Sequence, residues 1–173
     1  MSQQGGGGGG RGRTLATRMV GVAALEQRVF RDIDEDPFAQ FQSVQIVLLS
    51  AVASLFGLGA GLGLAAAIVI GVRWWLMAEI LIRLSGQWLP DRADTVTQAR
   101  ALRVIGYAHT PMFLALLFPI PNVGPVIWIV ISAWTIATMN VAIKQLLPGV
   151  PLSRYAWLLG AAAIPQIVLL ILA

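Results

Sequence analysis

The sequence predicts an all-α, polytopic transmembrane bundle of about five spans, preceded by an amphipathic helix. Three observations predict it. Of the 173 residues 57% are hydrophobic and only 12% charged, about half the usual share of charge. Long runs carry no charge at all: 37–72, 104–143 and 155–173, against the roughly 20 apolar residues that one span needs. The cations sit in short segments beside those runs, which reads as membrane topology rather than as a nucleic-acid surface.

Composition also removes chemistry. The chain has no cysteine, so disulfides, thiolate metal sites and a cysteine nucleophile are excluded. A single histidine excludes multi-histidine metal sites built from one chain. No cofactor is expected, and no nucleic-acid partner.

Residues 1–13 are glycine-rich and, after Met1, offer nothing apolar up to Gly12. They read as a disordered tail, not as a signal peptide, because no apolar core follows the arginines. Residues 14–36 place Leu15, Met19, Val22, Val29 and Ile33 at helical spacing with arginines between. This suits a cytoplasmic juxtamembrane helix, either lying under an anionic leaflet or without any lipid role. The acids Asp32, Asp34, Glu35 and Asp36 then end at Pro37, a helix stop.

From Pro37 to Leu84 two readings compete. One long tilted span could end at Arg73-Trp74-Trp75. Alternatively two spans, about 41–60 and 64–84, turn at glycines 57, 59, 61 and 63. Loop charge favours the second, since five spans put Arg11 to Arg31, then Arg92, Arg100 and Arg103, then Lys144 to Arg154 on one side. The loop 85–103 follows, with a short interfacial helix expected over 95–103. Spans are then expected at about 104–119, 124–144 and 155–173, the first two joined by a tight turn at Pro119, Pro121, Gly124 and Pro125. Pro165 falls inside the last span, where neighbouring groups satisfy the freed carbonyl.

Four of the polar residues inside these spans form the candidate intramembrane site: Arg73, Glu79, His109 and Asn140. A mid-span arginine costs roughly 2.5–3.5 kcal/mol on insertion scales, so Arg73 needs another helix, a subunit, water or a tryptophan face such as Trp134. Glu79 lies four residues before Arg83 and can pair with it. Glu79, His109 and Asn140 fall at similar depth. They form a structural hydrogen-bonded network, a proton or substrate site, or no mutual contact at all. Gly57-x-x-x-Gly61 and Gly59-x-x-x-Gly63 read as a glycine hairpin before they read as a dimerisation face. Trp74, Trp75, Trp128, Trp134 and Trp157 read as interface anchors and packing. No nucleophile elbow, zinc-protease helix or phosphate loop appears, so an enzyme is not expected.

The stretch Gly106-Tyr107-x-x-x-Pro111, after Val104-Ile105, resembles the glycine-tyrosine-to-proline signature in the third span of the Yip family of Ypt/Rab-GTPase-interacting membrane proteins. Trp134 and Ala142-Ile-Lys-Gln also resemble the fourth span and exit of compact bacterial members, and the likeness extends over roughly residues 19–173. It implies a non-enzymatic role in membrane organisation or trafficking through protein or lipid binding. The partners implied are the bilayer and an unidentified membrane protein or a second copy, in a bacterial inner membrane with the N-terminus cytoplasmic and the C-terminus outside. Eukaryotic relatives carry an acidic tyrosine-glycine-proline motif before their first span. Only the acids and Pro37 stand here, so small-GTPase binding is not carried over. The alternative is a small transporter or channel component using Arg73 and the Glu79/His109/Asn140 layer.

Overall fold

A computed structural model describes residues 14–91 and 96–172. The expected tail 1–13, Arg92 and the side chain of Pro165 lie outside the described residues. Every described element is helical: α1 (Leu15–Ala23), α2 (Gln27–Glu35), α3 (Ala39–Trp88), α4 (Gln98–Tyr107), a 3-10 helix (Thr110–Leu117), α5 (Gly124–Leu146) and α6 (Leu152–Leu172). Among the described residues, α3 and α5 are long and apolar enough to cross a membrane.

The helix expected over 14–36 is broken in two. Leu25 sits at φ 59°, and the Leu25 and Glu26 amides return to the carbonyls of Val22 and Gly21, both at 2.9 Å. This is the double bond pattern that ends a helix on a left-handed residue, a place usually taken by glycine. A leucine there costs on the order of 1–2 kcal/mol. The cost is offset because the turn lets α1 and α2 pack against each other, with Gly21 directly under Val29. It also buries Val22, Val29, Phe30 and Ile33 in the main core, each worth about 1.5–3 kcal/mol. The pair forms a cap on the bundle.

Element α3 is two helices joined at a kink. Gly59 has φ 77° and ψ 174°, a conformation open essentially to glycine alone. A Cβ built on Gly63 would lie 2.5 Å from the Cα of Leu55, whereas eight residues of straight helix span about 12 Å. The helix therefore doubles back at Gly59, giving arms 39–58 and 60–88. Ile46 of the first arm shares the main core with Met77, Ala78 and Leu81 of the second.

The stretch expected as a span at 104–119 is not one α-helix. Its α-helical part stops at Tyr107 and a 3-10 helix takes over at Thr110. Pro111 is the reason: it has no N–H for the Tyr107 carbonyl, and its ring crowds the preceding turn.

The two ends of the bundle differ in charge. The cap, the start of α4 and the end of α5 meet through Asp34, Arg100 and Gln145. At the opposite end the Gly59 turn meets the connection into α5, where Gly57, Leu58 and Leu62 line a groove with Phe118, Gly124, Pro125 and Trp128. None of these is charged. Between the ends, Leu48, Val52, Phe56, Leu64, Ile68 and Ile129 stand exposed, an outward apolar surface of the kind that lies against lipid.

Candidate functional site

Residues 103–112 form an uninterrupted buried run through the centre of the bundle, and it contains all three residues of the Gly106/Tyr107/Pro111 motif. Gly106 permits contact with the first arm of α3, since a Cβ there would lie 2.7 Å from the Cβ of Ser43. Tyr107 is fully buried, and its hydroxyl donates to Gln42 Oε1 at 2.5 Å. Pro111 ends the α-helix and leaves backbone carbonyls to be satisfied.

Side chains satisfy them. The Thr110 hydroxyl donates to Tyr107 O at 2.7 Å, the carbonyl that Pro111 orphans. Thr138 of α5 donates to Ala108 O at 2.8 Å, and Ser50 of α3 to His109 O at 3.2 Å. One turn earlier, Trp74 Nε1 donates to Leu102 O at 2.7 Å. In an apolar surrounding an unsatisfied carbonyl costs several kcal/mol, so these hydroxyls make the break tolerable. Sequence reasoning missed Ser50, Thr110 and Thr138. The signal available was Pro111 itself, which demands a substitute donor nearby.

The four candidate polar residues do not form one cluster. Glu79 accepts from Gln98 Nε2 at 3.0 Å, and among the described residues no ion pair joins it to Arg83. Asn140 accepts from the Tyr155 hydroxyl at 3.0 Å. His109 is fully buried with Nδ1 3.0 Å from Ile105 O, while its Nε2 has no hydrogen-bond partner among the described residues. Arg73 is 7% exposed. Thus Glu79 and Asn140 belong to separate contacts, and Arg73 and His109 are each buried inside the bundle. Trp134, considered as a face for Arg73, instead donates to Ala23 O at 2.8 Å and ties down the end of α1.

A second polar assembly, unforeseen as such, holds the cap. Asp34, 5% exposed at its side chain, accepts twice from Arg100, at 2.5 and 2.6 Å, and from Gln145 at 3.0 Å. Arg103 donates to the Asp34 backbone carbonyl. Alongside it, Arg18 donates to Asp36 at 2.5 Å and to Gln42 at 2.7 Å. Gln42 thereby links the cap to Tyr107. The Arg18 hydrogen bond holds the Asp36 carboxyl below the usual carboxylate range. The Asp34 hydrogen bond raises the Arg100 pKa, and burial draws that of Arg103 down. Of the arginines interspersed with the apolar positions of 14–36, Arg18 is turned inward. Among the described residues no group of three His, Cys, Asp or Glu is arranged to hold a metal. Compared with models of protein families, with curated proteins and with solved structures, the chain has no match.

Proposed function

We propose that the chain is a non-enzymatic integral membrane protein of the Yip type. It has five spans, with the α1–α2 cap in the cytoplasm and the Gly59 turn outside, and serves membrane organisation or trafficking by binding protein or lipid. The carrying observation is the segregation of charge. Apart from Arg73, every described Asp, Glu, Lys and Arg belongs to the cap, contacts it, or lies near a helix end or connection beside it. The opposite turn, 57–63 and 118–125, has none. Cations gathered at one end of an apolar bundle follow the positive-inside bias, which supports the cytoplasmic placement of the cap; the bacterial inner membrane proposed rests on the family resemblance. The Thr110 hydroxyl serves the backbone, and the Tyr107 hydroxyl and an Arg103 N–H serve the contacts of the cap, so the binding role proposed falls to the outer surfaces. The partners proposed are the bilayer and a membrane protein or second copy.

Single cysteines test the topology, because the natural chain has none. Asn122→Cys should react with an impermeant reagent only from outside and Gly149→Cys only from the cytoplasm; labelling of both from one side sinks the five-span reading. For the binding role, protein crosslinked in native-lipid particles should retain a stoichiometric partner or a second copy. A monomer that instead moves a solute across sealed vesicles refutes it. A transporter is the second reading, favoured by the burial of both Arg73 and His109 inside an apolar bundle.

A further inference from the structure

Where the cap meets the C-terminal end of α5 lies a groove of about 410 Å³. Gln27 and Arg31 of α2 and Val141 and Lys144 of α5 line it, and the turn through Pro148 and Gly149 completes it. Arg31 and Lys144 are both exposed. Among the described residues neither is held in an ion pair, and no acid lines the groove. Asp34, which bridges the same two helices, is already engaged by Arg100 and Gln145. That bridge fixes α2 against α5, so the groove carries two cations on walls that are held together.

We propose that this groove holds the headgroup of one anionic glycerophospholipid of the cytoplasmic leaflet, its phosphate on Arg31 and Lys144 and an acyl chain along the outward face of α5. Charge and depth select this occupant. A guanidinium and an ammonium both donate charge-assisted hydrogen bonds to phosphate oxygens. A zwitterionic lipid brings a phosphate too, but its ammonium finds no carboxylate in the lining. Lys144 stands eighteen residues after Val126, five whole turns and about 27 Å of helix, close to the roughly 30 Å hydrocarbon core. With Val126 at one rim, Lys144 therefore reaches the other, where lipid phosphates lie. It also crowns the outward stripe of α5, since Val126, Ile129 and Ala133 on that side are exposed. A lipid tail that follows this stripe brings its phosphate to the groove, whereas a soluble phosphate leaves the stripe unused.

The inference rests on the proposed topology, with the cap in the cytoplasm, and deepens the lipid-binding role. The test places the full chain in nanodiscs of mixed phosphatidylcholine and phosphatidylglycerol and identifies the retained lipid by native mass spectrometry. One phosphatidylglycerol per chain is expected, preferred roughly 25-fold, at about fivefold for each cation. Arg31→Gln and Lys144→Gln should each weaken retention about fivefold and together abolish the preference. Arg28→Gln, on the same helix but outside the groove, should leave it unchanged. Val141→Trp fills the groove, keeps both charges and should weaken retention as well. Wild type that retains phosphatidylcholine equally overturns the proposal. So does a loss in Arg28→Gln equal to that in Lys144→Gln, which marks a diffuse field, or displacement by millimolar inorganic phosphate, which marks a site for a soluble anion. Labelling of Gly149→Cys from outside sinks the topology itself, a separate result.

Discussion

Replacing Asp34 with alanine should release the cap. The carboxylate receives both Arg100 bonds and the Gln145 bond while almost wholly shielded from water. Breaking a buried pair by removing one partner costs about 3–5 kcal/mol. Arg100 is about a quarter exposed and regains some hydration, which lowers the expected cost to about 2–3 kcal/mol. Each 1.4 kcal/mol is tenfold, so the open state should become roughly 30- to 140-fold more populated. A cysteine at Val29, 1% exposed in the closed cap, reads that population through its rate of thiol labelling. Val29→Cys with Asp34→Ala should label faster by that factor, while Val29→Cys with Glu35→Ala, an exposed neighbour, should not. Equal rates for the two would show that Asp34 does not hold the cap.

Three further outcomes are expected. Gly59→Ala should destabilise the protein by about 1–3 kcal/mol, because alanine strains at φ 77°. Gly61→Ala, in open space, should be neutral or slightly stabilising in thermal unfolding, and equal behaviour would deny the reversal. Gly106→Ala should cost about 1–3 kcal/mol through overlap with the Ser43 Cβ, and Ser43→Gly in the same chain should recover most of it; an additive loss in the double variant would argue against that contact. Acid should loosen the cap through Asp36, whose pKa is depressed in the folded state by Arg18. That stabilisation is full above the unfolded value near 3.9 and is lost as pH falls through the lower folded one. Hydrogen exchange of α1 amides, corrected for intrinsic rate, should accelerate below about pH 4 and do so less in Asp36→Asn.

The helical class was legible because charge-free runs of this length leave few alternatives. The glycines 57–63 mark where α3 reverses, and the loop charges pointed there because a single span would have divided the cations between two sides. The break at Ala108 and His109 was not legible from hydropathy, which is blind to which amide meets which carbonyl. Pro111 carried that information and was read as part of a motif rather than as a missing donor. The Glu79/His109/Asn140 layer was inferred from depth alone. Depth does not fix the rotation of each helix about its axis, and rotation sends Glu79 to Gln98 and Asn140 to Tyr155. The split of the N-terminal helix lacked a local mark, since Leu25 takes a conformation that glycine or asparagine usually announces. Packing of Val29 on Gly21 decides it instead.

The contacts of Asp34 reach far along the chain: Arg100 lies 66 residues later and Gln145 lies 111 later. At synthesis rates of about 5–20 residues per second, the second partner emerges roughly 6–20 s after the carboxylate that awaits it. Until then α1 and α2 carry their apolar faces and buried-to-be charges in the open. Full closure of the cap thus waits for α5, which adds the Gln145 bond to those already made by α4. A chain ending before α5 would lack both the Gln145 bond to Asp34 and the Trp134 bond to Ala23, and, among the described residues, Asp34 would be held by the α4 arginines alone.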